Sequence, residues 1–280
     1  MNAPQITARL APAPYPGAAL GWRGAGIAAQ IRVLTASSLK RLVCDRQLLV
    51  VSLLEPLLTL VVFSQLFAGM VHIPGFPAGE RYIDFLLPAL LVITAIQTGL
   101  QAGTGLLDDM RDGLMPRLRS LPIWLGSVLI ARSLTGAVQS VLRLATLLVP
   151  AFVVIGYRPA GGPVGMGAVL VLALVLGWSL GWVFLALACW LDRAEMLQAG
   201  AGIVMFPLMF ASSALVPEQG MPGWLRAAAR FNPLSHGIEA ARDLAHGRPA
   251  GAGVLIAIAI GLAVAAAAMP VAVRGIQRPR

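Results

Sequence analysis

Residues 166–189 read MGAVLVLALVLGWSLGWVFLALAC, a stretch with no charged side chain. As a helix rising 1.5 Å per residue it is longer than the roughly 30 Å hydrocarbon core of a bilayer. Its apolar residues follow one another instead of alternating with polar ones, so the run is a spanning helix and not a barrel strand.

Five comparable runs surround it, at 48–71, 83–107, 134–157, 198–216 and 250–273. Of the 280 residues, 58% are hydrophobic and 12% charged, and the mean hydropathy is +0.81. Soluble domains carry about twice that share of charge. The expected fold is therefore an all-α integral membrane protein of six transmembrane helices, with 1–26 as a flexible cytoplasmic tail and 27–280 as one membrane domain. The tail is rich in Pro, Ala and Gly and is broken by Arg9 and Arg23, so it lacks the apolar core of a signal peptide.

A net charge of +9 could suggest nucleic acid, but the cations sort by side. With six spans both termini share a face, and that face collects Arg32, Lys40, Arg41, Arg46, Arg111, Arg117, Arg119, Arg132, Arg193 and Arg274. The opposite face holds fewer, with Glu218, Glu239 and Asp243 among them. Positive residues stay on the cytoplasmic side, so both termini are expected in the cytoplasm, and no nucleic-acid partner is expected. Cys44 and Cys189 then lie near the reducing face, and no disulfide is expected.

Three segments outside the spans have patterns of their own. In IAAQIRVLTASSLKRLVCDRQ (27–47), Ile27, Ile31, Leu34 and Leu42 share one helical face beside a cationic boundary of Arg32, Lys40, Arg41 and Arg46, which fits an interfacial helix or a cytosolic leader helix. DDMRDGLMPRLRSLPI (108–123) carries six charges and cannot lie in lipid. Its Leu114, Leu118 and Leu121 recur at helical spacing, leaving one side for a partner protein or simply a solvated loop. Residues 217–248 interrupt two apolar runs with PEQGMPGWLRAAARFNPLSHGIEAARDLAHGR. There Asn232 is a good N-cap and Pro233 a good first helical residue, so an outer re-entrant helical hairpin is expected.

Polar residues at membrane depth are functional candidates by default. Glu55 in the first span and Arg143 in the third lie at similar depth and could pair, serve an ion site, or snorkel. Thr94, Gln97, Thr98 and Gln101 form a stripe in the second span, readable as helix–helix glue or as part of a solute path. His236, Glu239, Asp243 and His246 fall on one face of the outer helix; an amphipathic helix needs no metal to explain them, and no metal site is expected. There is no HExxH, no GxSxG and no GxxxxGK[ST], so neither hydrolytic chemistry nor ATP binding by a phosphate loop is expected of this chain. Gly177 and Gly181 have the spacing that lets helices approach closely.

At RSLPI (119–123), with the preceding DDMRDG (108–113), and at ALVPEQGMPGWLRAAARFNPLSHGIEAARDL (214–244), the chain resembles the integral-membrane permease subunits of type 2 ABC exporters. It is most similar to the daunorubicin-resistance type, and less so to permeases exporting polysaccharide or lipo-oligosaccharide. The resemblance implies export of a hydrophobic or amphipathic solute across the bacterial cytoplasmic (inner) membrane by two permease protomers, with ATP and Mg on a separate ATPase subunit and no cofactor on this chain. It makes 108–121 a cytoplasmic coupling helix on the ATPase, through Asp108, Asp109, Arg111, Gly113, Leu114, Leu118, Arg119 and Leu121. It gives Asn232, Pro233, Leu234, Glu239 and Arg242 a place at the exit. Pro116 within the coupling segment departs from that pattern.

Overall fold

The computed structural model describes residues 26–44, 46–67, 69, 71, 81–112, 124–214, 221–248 and 251–278. Nine helices occur among the described residues: α1 (Ile27–Cys44), α2 (Arg46–Leu66), α3 (Tyr82–Arg111), α4 (Gly126–Val153), α5 (Gly162–Trp190), α6 (Ala194–Phe210), α7 (Gly223–Phe231), α8 (Pro233–Ala245) and α9 (Ala252–Ile276). Of these, α3, α4, α5 and α9 are long and apolar enough to cross a membrane, while Leu54–Leu66 within α2 and the whole of α6 are shorter apolar helices. At 17 residues, α6 is about 25 Å long, short of the hydrocarbon thickness.

The α4 helix departs most from its expected bounds. It starts at 126 and not 134, so that Arg132, read from the sequence as one of the cations of the cytoplasmic face, lies inside the helix and pairs with Asp109. It ends at 153 and not 157 because Pro150 brings the last turn to a close, with the N–H groups of both Val154 and Ile155 donating to its carbonyl. Gly156 then turns the chain at φ +68°. Pro207 closes α6 in the same way, its carbonyl accepting from Ala211 at 2.7 Å. The first face drawn for α1 also needs correction: Ile27 is exposed, and Ser38 lies on the half-buried side with Ile31 and Leu34, which packs on α4. Leu42 has no described side chain.

The core is built on α3, which contacts α5, α4, α8, α6 and α2. Lipid is as apolar as leucine, so close approach and van der Waals contact do the binding here. Gly177 supplies that approach: a Cβ placed on it would sit 2.6 Å from the Ala95 carbonyl oxygen, and one on Gly99 would sit 2.7 Å from the Cα of Gly181. The small-residue spacing read from the sequence is thus the α3–α5 seam. On the other side of α5, α9 presents Ala257, Gly261, Ala265, Ala268 and Ala272 as a buried stripe.

Contacts divide between two ends. At one, Arg81 caps α3 through Asp84 and its guanidinium reaches the carbonyls of Ile155 and Gly156 at 3.4 and 3.3 Å. The same end holds α7, α8 and the start of α5. At the other end, Asp109 meets Arg132, Arg111 meets Glu195, and Arg278 stacks 3.6 Å over Trp190.

Candidate functional site

Asn232 joins three helices at an elbow. Its side-chain oxygen accepts from the N–H of Leu234 at 2.9 Å, capping α8. Its side-chain nitrogen donates to the carbonyls of Leu208 and Ala211 at 2.6 and 3.1 Å, acceptors left over at the C-terminal end of α6. One buried amide therefore ends α7, starts α8 and finishes α6. Pro233 takes the first helical position, where no N–H is missed.

Ten residues on, Arg242 is buried. Its Nε donates to the Phe85 carbonyl at 3.0 Å and its Nη2 to the Ala214 carbonyl at 2.9 Å, while the guanidinium lies 3.4 Å above the Phe85 ring. Arginine's planar fork allows both bonds and the stacking at once. At its C-terminal end α8 rests on the start of α5: the Gly161 N–H donates to Ala245, and a Cβ on Gly165 would come within 2.4 Å of the Leu244 carbonyl oxygen.

Leu234, on the first turn of this fixed helix, closes one side of a cavity of about 370 Å³. Pro56, Thr59 and Phe63 of α2, Thr94 and Gln97 of α3, Phe184 of α5, and Gln198, Met205, Phe206 and Met209 of α6 line it with further aliphatic groups. The lining holds no charge. Two glutamines, two threonines, three phenylalanines and two methionines in a mainly aliphatic wall suit an aromatic body with a few hydrogen-bonding groups.

The cavity divides the polar stripe expected on the second span. Thr94 and Gln97 face it, whereas Thr98 turns its hydroxyl to the Thr94 carbonyl at 2.8 Å within its own helix, and Gln101 is half-buried outside it. The stripe is thus split between cavity wall and a bond inside its own helix. Glu55 and Arg143 are not joined by a hydrogen bond or an ion pair among the described residues. Arg143 is 3% exposed and its Nη2 has no hydrogen-bond acceptor. Glu55 is exposed, near enough for its charge to act on Arg143.

On α8 the four metal-type side chains have other surroundings. Asp243 pairs with Arg248 at 3.4 Å, His246 Nδ1 lies 2.6 Å from the Arg242 carbonyl oxygen, and His236 and Glu239 are half-buried. Among the described residues no three metal-ligating groups converge.

At the opposite end Asp108 is exposed, and Arg111 reaches Glu195 at 3.6 Å. Asp109 turns inward to Arg132, whose Nη2 also donates to the Gly105 carbonyl at 2.7 Å. Gly113, Leu114, Leu118, Arg119 and Leu121 lie outside the described residues, as does Pro116. Sequence reasoning counted Arg132 only as a marker of sidedness; a lone arginine heading a long apolar run was the available signal that it has a buried partner.

Residues 29–245 match the family described as ABC-2 type transporter. The daunorubicin resistance ABC transporter permease protein DrrB1 of Streptomyces coeruleorubidus is 33% identical over 194 residues, 69% of this chain and 67% of that protein. "Probable doxorubicin resistance ABC transporter permease protein DrrC" of Mycobacterium tuberculosis is 24% identical over 221 residues, 79% of this chain and 78% of its own. Nodulation protein J of Rhizobium leguminosarum bv. trifolii is 29% identical over 204 residues, 70% of this chain and 73% of its own.

Proposed function

Because this chain belongs to the ABC-2 type transporter family, we propose that it is the membrane-embedded permease of an ATP-driven exporter that moves a hydrophobic or amphipathic, drug-like solute out of the cytoplasm or the inner leaflet. The observation that carries the solute class is the charge-free, aromatic and methionine-lined cavity between α2, α3, α5 and α6. A polysaccharide or lipo-oligosaccharide needs dense hydrogen bonding that this wall does not supply, which favours the drug-like solute.

In this reading the chain crosses the bacterial inner membrane six times, α2 and α6 supplying the two shorter crossings, with both termini in the cytoplasm. A second permease protomer completes the path. ATP and Mg²⁺ bind a separate nucleotide-binding subunit, whose closure pushes on residues 113–123 at the cation-rich end. The bundle then moves between two arrangements of similar energy that nucleotide favours differently. Asn232 and Arg242 hold the exit-side elbow fixed to α6 and α3, so that a shift of either helix reaches Leu234 at the cavity wall.

Two measurements test this. Co-expression with a candidate ATPase should give a complex that survives purification, and Leu118→Asp should abolish it. Cysteines placed by Gln219→Cys and Ser120→Cys should label from outside intact cells and only after permeabilisation, respectively. Proton-driven transport by the lone chain, or the reverse labelling pattern, would overturn the proposal.

A further inference from the structure

Residues 113–123 are bracketed by two helix ends, the last turn of α3 and the first turns of α4, and the described contacts tie those ends together. Gly105 and Asp109 lie one helical turn apart on α3, so their carbonyl and carboxylate face the same side. Across them lies the Arg132 guanidinium, donating from Nη2 to both. Asp109 and Arg132 side chains are only 14% and 19% exposed, so water screens the pair weakly. Gly105 leaves room for the guanidinium: a Cβ there would stand 3.2 Å from Arg132 Nη1. Two more ties leave the same region. Arg111 reaches Glu195 at the start of α6, and the Trp124 N–H donates to Gln30 of α1 at 3.3 Å.

We propose that Arg132 is a positioning residue that locks both stems of the 113–123 segment into one lever, so that force on the segment moves α3 and α4 together. The proposal rests on the reading above that this segment meets the ATPase. It reverses one expectation from the sequence, since Asp109 acts inward on Arg132 and does not face the partner. Without the lock, a push on the segment is absorbed by parting the stems, and ATP is hydrolysed without moving the cavity helices. A lysine keeps the charge opposite Asp109 but has no fork to hold the Gly105 carbonyl as well.

The first arm of the test needs only the purified chain in lipid nanodiscs. Spin labels at Asp112→Cys and Trp124→Cys should give one narrow distance distribution, broadened by Arg132→Gln and narrowed again when Asp109→Arg is combined with Arg132→Asp. An unchanged distribution in Arg132→Gln overturns the lock, whether or not the chain is an exporter. The second arm uses the permease co-purified with its ATPase. Solute exported per ATP should fall at least about fivefold in Arg132→Gln, with ATPase activity and complex yield retained, and recover in part in Arg132→Lys, a coupling change of the size set by linkage between two sites. Equal loss of ATPase activity and export would mark Arg132 as merely structural and overturn the proposal. Absence of any ATPase complex counts against the function proposed above and leaves the distance measurement to decide the lock.

Discussion

The side-chain nitrogen of Asn232 lies 2.6 Å from the carbonyl oxygen of Leu208, a contact that fastens the start of one short helix to the end of another 24 residues earlier in the chain. The same amide also reaches Ala211 and caps Leu234. Asn232→Ala removes all three bonds and should cost about 2–3 kcal/mol, from a cap worth ~1 and two net hydrogen bonds of similar size. Asn232→Asp preserves the cap but points a carboxylate at two carbonyl oxygens, so it should destabilise more than alanine. Thermal unfolding in detergent checks the order; an aspartate variant more stable than the alanine one would contradict the assigned geometry.

At the α3–α5 seam the two glycines of GWSLG differ in what they tolerate. A Cβ on Gly177 meets the Ala95 carbonyl oxygen at 2.6 Å, whereas one on Gly181 has the Gly99 Cα at 3.3 Å as its nearest neighbour. Gly177→Ala should therefore cost about 1–3 kcal/mol by overpacking, and Gly181→Ala clearly less. Melting temperatures of the two variants test the asymmetry, and equal losses would argue against the α3–α5 contact described.

Gly202 lines the cavity, and nothing stands within 4 Å of a Cβ built on it. Gly202→Phe should consequently fill the cavity without disturbing the fold. Export of a bulky aromatic probe should drop by about tenfold or more, the scale of losing one well-filled pocket contact, while the unfolding midpoint stays within a few degrees. Undiminished export would move the solute path elsewhere.

Arg143 is buried in α4 with an unsatisfied Nη2. Replacing a buried, poorly paired charge by an apolar group of similar length is neutral or stabilising by about 1–4 kcal/mol. Arg143→Met should accordingly unfold at the same or a higher temperature than the parent. A marked drop would mean that Arg143 has an acceptor in the membrane-embedded protein, with Glu55 of the packed α2 helix first in line.

Much of the architecture could be read locally. The charge-free run at 166–189 lies within α5, and the Asn-Pro pair starts α8 at Pro233 as written. Where local reading failed, it failed at charges. Arg132 reads from the sequence only as a marker of sidedness, although it lies inside α4 and pairs with Asp109 23 residues away. His236, Glu239, Asp243 and His246 share a face by spacing, yet their surroundings differ because α5 and α3 pack against that helix as well.

What the sequence determined alone was set by forces acting over a turn or less: the apolar length that only a membrane accepts, and the cap at Asn232 with Pro233 in the first turn. What required the tertiary structure was every contact between distant helices, such as Arg242 on the Phe85 carbonyl 157 residues away, Arg132 on Asp109, and the cavity assembled from five helices. The physical reason is that burial in lipid does not distinguish one apolar face from another. Helix rotation is decided by which small residues permit contact and which buried polar groups find a partner, and neither choice is made within a single helix.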